Sequence, residues 1–284
     1  MHLTPPRLVL ALAALATAGL ASAAETQTIA SYERAFTKNI AYKYLLSLPV
    51  GYDPTAGKQW PVILFLHGSG ERGTDTWKVA IHGPPKLIRG DVTPPPPAPG
   101  APATPPPAPE TPAARAQREK AAVLLRENFI VISPQCPAGV WWDDDGVLGL
   151  LDDVMTKHKV DPTRVYLTGL SMGGYGTWSV GLKYPERFAA IVPICGGGQF
   201  RDIVSASRTK KDALLSLGVR VFHGAKDPTV PLAESETMVA HLKKAGLLNV
   251  QLTVYPEAKH DSWTETYNNP ELYTWLLQHK REAK

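Results

Sequence analysis

Six uninterrupted apolar runs divide the chain: PVILFL at 61–66, FIVIS at 129–133, VYLTGL at 165–170, AAIVPI at 189–194, VRVFHG at 219–224 and VQLTVY at 250–255. Each is too short for a helix and lacks the in–out alternation of a half-buried strand, which marks strands covered on both faces. An earlier segment, AYKYLLSLPV at 41–50, alternates in part and reads as a first strand, free to pair antiparallel at an edge. Stretches with helical periodicity separate the runs, at 113–127, 146–158, 173–184, 232–245 and 271–281. Buried strands joined by helices imply parallel pairing through right-handed crossovers. The predicted fold is α/β, a mostly parallel, doubly wound sheet with helices on both faces.

Two segments stand outside this pattern. Residues 1–23 open on a short polar stretch with Arg7, continue through an apolar core from Leu8 to Leu20, and end on Ala21-Ser22-Ala23. That is the layout of a cleaved secretory signal, and its apolar core is short of the roughly 20 residues that span a bilayer. The expectation is a secreted or periplasmic protein with no membrane attachment after cleavage, and one domain over 24–284. Pro94 to Pro112 holds 11 of the 27 prolines. Proline lacks a backbone donor, so this stretch is read as an extended, solvated insertion in the connection after PVILFL.

Composition narrows the function. Net charge is +4 across 284 residues, with Lys and Arg nearly balanced by Asp and Glu. That balance excludes an electrostatic nucleic-acid binder. Two cysteines, Cys136 and Cys195, are too few for a disulfide scaffold or a four-cysteine zinc site. In the expected strand order two strands separate their positions, so both are read as buried thiols near the nucleophile.

The chemistry falls at strand ends. Gly169-Leu170-Ser171-Met172-Gly173 lies between the VYLT strand and a helical run, the strand–turn–helix context that exposes a nucleophilic serine. Asp227 follows VRVFHG, and His260 follows VQLTVY. Ser171, Asp227 and His260 thus occur in the order nucleophile, acid, base. Glu257 and Asp261 are weaker candidates for the acid. His67-Gly68-Ser69-Gly70 forms a glycine-rich turn after PVILFL, and the backbone N–H groups of Ser69 and Met172 are the expected oxyanion donors. His67 and His223 are read as turn anchors, and Lys210-Lys211 as a solvated face. His158 and His279 are read as surface groups near helix ends, His82 and His241 as residues in polar surroundings away from strand ends. Asp143, Asp144 and Asp145 read as a helix cap. Trp141, Trp142 and Trp263 lie on loops near the expected site, where flat faces suit an aromatic acyl group or a sugar ring, or equally pack against the proline-rich and glycine-rich loops.

PVILFLHGSGERGTD, SPQCP, WWDDD, GLSMGGYGTW, FHGAKDPTVP and HDSW together resemble secreted α/β-hydrolase esterases. These are similar to polyhydroxybutyrate depolymerases and to feruloyl and acetyl-xylan esterases, the prolyl-oligopeptidase-like group of predicted peptidases. The resemblance runs over residues 35–281, with the proline-rich stretch as its departure. It implies the α/β-hydrolase fold, Ser171 as nucleophile, Asp227 as acid, His260 as base, Ser69 and Met172 at the oxyanion, and no metal or organic cofactor. The implied activity is hydrolysis of carboxylic esters through an acyl-enzyme, on plant-polysaccharide side chains or related polyester and aryl esters. A serine peptidase of the prolyl-oligopeptidase type is the alternative.

Overall fold

The computed structural model describes residues 30–35, 37–90 and 110–282. Residues 1–23 and most of the proline-rich stretch lie outside them. The chain divides into two units, residues 1–39 and residues 40–284, and everything below concerns the second.

The described residues build a seven-stranded sheet. Its strands are β1 (Lys43–Ser47), β2 (Trp60–Leu66), β3 (Ile130–Gln135), β4 (Val160–Leu170), β5 (Ala190–Ile194), β6 (Gly218–Gly224) and β7 (Val250–Tyr255). The spatial order is β1-β3-β2-β4-β5-β6-β7. Only β1 runs antiparallel, against β3, which is the edge pairing the early strand predicted. All six apolar runs become the parallel strands.

Helices α1 (Gly83–Arg89), α2 (Pro112–Asn128), α3 (Asp144–Lys157), α4 (Met172–Lys183), α5 (Phe200–Thr209), α6 (Lys211–Ser216), α7 (Leu232–Lys244), α8 (Trp263–Asn268) and α9 (Pro270–Gln278) complete the unit. Because successive strand side chains point to opposite faces, each apolar strand feeds two cores. Val62, Leu64 and Leu66 of β2 pack in one cluster with residues of α3, α4 and α7. Ile63 and Phe65 pack in the other with residues of α2, α8 and α9. A strand buried on both faces must be apolar throughout, which holds for β2 to β6; β7 is a correction, an edge strand with Gln251 exposed and Leu252 to Tyr255 only half-buried.

The proline-rich reading needs one correction at its C-terminal end. Pro112 is not solvated coil but the first residue of α2, with Thr111 as its cap, the Thr111 hydroxyl accepting from the Ala114 amide at 3.2 Å. At that position the missing N–H has no helical partner to lose, and the fixed φ already suits a helix. Among the described residues no helix is long and apolar enough to cross a membrane.

Candidate active site

The carboxyl ends of the parallel strands converge on Ser171. It sits between β4 and α4 with φ 52° and ψ −116°, a region that L-residues avoid at a cost of about 1–3 kcal/mol. Its neighbours explain how the turn is held. A Cβ on Gly169 would lie 2.4 Å from the Gly173 carbonyl oxygen, and one on Gly173 would lie 1.9 Å from that of Leu66. Only glycines let α4 start this close to β2. The Ser171 amide donates to the Ile194 carbonyl at 3.0 Å, tying the turn to β5.

The three residues expected to act together are brought together. The Ser171 hydroxyl lies 2.9 Å from His260 Nε2, and His260 Nδ1 lies 2.7 Å from Asp227 Oδ2. Nδ1–H donates to the carboxylate, leaving Nε2 to accept from the serine. Asp227 Oδ1 accepts the amides of Thr229 at 2.8 Å and Val230 at 3.0 Å. Burial of this carboxyl would raise its pKa, but the bonds from His260, Val230 and Thr229 outweigh that and hold it below the ordinary value. The competing acids are committed elsewhere. Asp261 binds the first turn of α8, accepting the Thr264 amide at 3.0 Å and its hydroxyl at 2.9 Å, while Glu257 pairs with Lys226.

The turn after β2 lies over the serine, with a Cβ on Gly68 falling 3.6 Å from that of Ser171. His67 anchors this turn, as the sequence indicated. Its Nε2 accepts the Cys136 amide at 2.9 Å, so Nδ1 carries the proton and donates to the Gly68 carbonyl at 2.5 Å. That carbonyl and the Ser69 N–H belong to one trans peptide and point opposite ways. Fixing the first therefore aims the second. Burial pushes the His67 pKa down to about 4, with Arg72 adding to the effect, so the ring is neutral at ordinary pH. Arg72 Nε donates to the Ser69 carbonyl at 3.0 Å, and the buried Gln135 amide donates to the carbonyls of Glu71 and Asp75. Ser69 and Met172 each begin a helical turn, where amides lack an intrahelical acceptor.

The tryptophans separate into different settings. Trp141 is 62% exposed, with its ring perpendicular to that of Tyr175, 5.9 Å between centroids. Trp142 is buried, packs against His67, and donates its indole N–H to the His67 carbonyl at 3.1 Å. Trp263 stands perpendicular to the His260 ring at 5.3 Å. A pocket of about 370 Å³ opens between Trp141, Trp142, Tyr175, Ser179, Gln199 and Asp202. Tyr175 is one helical turn from Ser171, its amide donating to the Ser171 carbonyl at 3.0 Å.

Other expectations resolve by neighbours. His223 anchors its loop through the Ser235 hydroxyl at 2.8 Å and the Val230 carbonyl at 2.9 Å. Asp143 caps α3 by accepting the Gly146 amide at 3.0 Å. Lys210 is a correction, because its ammonium bonds the Lys183 carbonyl and the Glu186 carboxylate instead of facing solvent freely. Both cysteines are free and buried. Donor atoms of Cys195, Asp227 and His260 lie within 4.8 Å of one another. Burial pushes the Cys195 thiol up to about 12, and the Asp227–His260 contact is already a hydrogen bond, so these groups are poorly prepared to hold a metal.

Sequence reasoning missed Glu71, His82, Tyr175 and Asp202. Glu71 stands two residues after Ser69 in GSGERG, and its position inside that motif was the available signal. His82 has polar sequence neighbours and no strand end before it, yet its Nδ1 accepts the Trp263 indole N–H at 3.3 Å.

Comparison with known proteins finds similarity to esterases. Residues 145–271 match the phospholipase/carboxylesterase family. The chain is 44% identical over 48 residues to poly(3-hydroxyalkanoate) depolymerase C of Paucimonas lemoignei, covering 17% of this chain and 12% of that protein. It is 27% identical over 161 residues to a bifunctional acetylxylan esterase/xylanase of Neocallimastix patriciarum, covering 52% of this chain and 22% of the other. The chain therefore spans roughly an eighth and a fifth of those two relatives. Among solved structures, a thermostable esterase superposes with TM-score 0.61 at 27% identity, over 84% of this chain and 59% of that one. A ferulic acid esterase superposes with TM-score 0.57 at 17% identity, over 83% and 91%, a likeness of fold alone. The matched family segment contains Ser171, Asp227 and His260, and the chain has the α/β-hydrolase fold, similar to esterases of that fold.

Proposed function

We propose that this chain is a serine carboxylic-ester hydrolase working through an acyl-enzyme on Ser171. The observation that carries the reading is the continuous line of hydrogen bonds from Ser171 through His260 to Asp227, at 2.9 and 2.7 Å. His260 Nε2 takes the serine proton as Oγ attacks the ester carbonyl. The imidazolium then forms against the buried Asp227 carboxylate and returns the proton to the departing alkoxide. The N–H groups of Ser69 and Met172 receive the oxyanion, and water repeats the sequence to free the acid. No step calls for a metal or organic cofactor.

The pocket lined by Tyr175, one helical turn along α4 from Ser171, supports a substrate carrying a sugar, which fits ester side chains of plant polysaccharides. Trp141 offers one open aromatic face. Around it stand the half-buried Asp202 carboxylate and Ser179, whose hydroxyl donates to Asp144 at 3.0 Å and so keeps acceptor capacity toward the pocket. One flat platform ringed by hydrogen-bonding groups suits a pyranose, whereas a cinnamoyl slot would be apolar on every wall. Trp263 is assigned to the wall of the base, and Trp142 to the pocket floor. The signal read in residues 1–23 supports action outside the cytoplasm.

The test is Ser171→Ala with p-nitrophenyl acetate and an acetylated xylo-oligosaccharide beside a panel of peptide nitroanilides. Both esters should lose at least about a thousandfold in kcat, within the range of nucleophile knockouts, with the fold unchanged. Near-parental ester hydrolysis by the purified variant overturns the mechanism. Parental turnover of nitroanilides above that of the esters overturns the substrate class.

A further inference from the structure

We propose that Glu71 and His82 form a second carboxyl–imidazole pair, which positions Trp263 and through it the His260 ring. The proposal rests on His260 being the base of the preceding section and concerns what keeps that base in place.

The hydrogen-bonding roles follow from donor and acceptor chemistry. An indole N–H only donates. Its bond to His82 Nδ1 at 3.3 Å therefore requires Nδ1 to be unprotonated, so the ring proton is on Nε2. Nε2 faces Glu71 Oε1 at 3.9 Å, close enough for the carboxyl group to favour that tautomer. Glu71 is 5% exposed, and its Oε2 has no hydrogen-bond partner among the described residues. Burial raises the pKa of this carboxyl while the amides of Gly68 and Glu71 oppose the rise, and Oε2 stands 3.8 Å from His67 Nδ1, which leaves Oε1 as the oxygen that faces His82. The carboxyl's place is beneath the Ser69–Glu71 turn, with Oε2 3.2 Å from where a Gly68 Cβ would be.

From His82 the contacts continue toward the site. Its ring packs against Trp263 with centroids 5.3 Å apart, and Trp263 packs at 90° against His260, also at 5.3 Å. His260 is held along its edge by Asp227 and Ser171, but those bonds do not stop the ring from tilting out of its plane. The Trp263 wall does. The bond to His82 in turn fixes the indole, which sits at the start of a six-residue helix with little rigidity of its own. The charged groups facing His82 are Glu71 from the turn after β2, Lys86 from α1 and Asp261 from the loop before α8. Burial lowers the His82 pKa, Asp261 opposes this and Lys86 adds to it, and the net fall supports the neutral ring that the indole bond needs.

The experiment compares kcat and KM for p-nitrophenyl acetate in His82→Phe, His82→Asn, His82→Gln, Trp263→Phe and the double variant His82→Phe/Trp263→Phe. Asparagine can place its oxygen near the site of Nδ1, whereas glutamine reaches the site of Nε2. His82→Phe, His82→Gln and Trp263→Phe should each lower kcat about tenfold with KM within about twofold, as expected for a misaligned base. The double variant should be no worse than its worse single, and His82→Asn should recover to within about threefold of the parent. Equal activity of the Asn and Gln variants, additive losses in the double variant, or a loss confined to KM overturns the proposal. Should His82→Phe fail to fold, the contrast between the equally polar Asn and Gln variants decides. Ser171→Ala, assayed alongside, separates the two readings: if it stays active, the hydrolase mechanism falls. If it is inactive while every His82 variant matches the parent, only the positioning pair falls.

Discussion

Replacing Gly173 by alanine tests whether the Ser171 turn depends on close backbone approach. The added Cβ would lie 1.9 Å from the Leu66 carbonyl oxygen, 2.5 Å from its carbon and 2.8 Å from the His67 oxygen. Ordinary contacts begin near 3.4 Å, so α4 must retreat from β2 by about 1.5 Å. No side chain can yield instead, because all three obstacles are backbone atoms of a central strand and its exit. The retreat carries Ser171 away from His260 and the Met172 amide away from Ser69. A misplacement of about 1 Å at a reacting centre costs roughly a hundredfold, or about 2.7 kcal/mol of barrier. The same overpacking should cost about 1–3 kcal/mol of stability, roughly 3–10 °C in melting temperature at this chain length.

The assay is kcat/KM on p-nitrophenyl acetate with circular-dichroism melting, run beside Gly149→Ala. Gly149 is exposed within α3 and has nothing within 4 Å of an added Cβ. There alanine should raise stability by about 0.5–1 kcal/mol and leave kcat unchanged. A Gly173→Ala protein within about threefold of parental kcat/KM would show that the turn does not depend on the approach described here.

His67 gives a pH signature in stability. Its folded pKa is about 4 against an ordinary 6.5, so between those values the unfolded chain binds a proton that the folded chain refuses. Stability should then fall by about 3 kcal/mol as pH drops from 6.5 to 4, and His67→Asn should flatten that window in urea titrations. A parental profile level across it would refute the neutral anchor. Burial pushes Cys136 up to about 11 and Cys195 up to about 12, so native protein should react slowly with a thiol reagent at pH 8, while denatured, unreduced protein should titrate two thiols. A count of zero refutes the free-thiol assignment. Trp141→Ala should weaken xylobiose binding to the Ser171→Ala protein about tenfold by calorimetry, and unchanged affinity removes the sugar from that pocket.

The parts of the fold legible in the sequence are those with one physical cause. Strands β2 to β6 are apolar because both faces are covered, whereas β7 is an edge strand whose Gln251 and Thr253 alternate with apolar residues. Helices α2, α3, α4, α7 and α9 carry enough turns for periodicity to show. Helices α1, α5, α6 and α8 escaped. The first opens on Gly83-Pro84-Pro85, α5 buries only Ile203 and Ala206, and α6 and α8 are six residues each. They pack mainly on other helices, α1 and α8 on α2 and α5 on α4, and helices this short depend on such packing for their stability.

The site divides along the same line. Chain order and strand ends were enough to pair Ser171 with Asp227 and His260, but not to say how His260 reaches the serine. Strands β5 and β6 separate β4 from β7, so the strand ends are about 14 Å apart at ordinary inter-strand spacing. The loop after β7 crosses that distance by lying directly on the end of β6. A Cβ on Gly224 would be 2.1 Å from the Lys259 carbonyl oxygen, and the Lys226 amide bonds the Ala258 carbonyl at 3.0 Å. Asp261 then turns the chain into α8, which brings Trp263 back over the imidazole. Glycine at the end of an apolar run reads in a sequence as a simple strand stop. Here it is the position over which the loop carrying His260 folds, and Gly224→Ala should therefore lower kcat by displacing His260 while β6 itself remains paired.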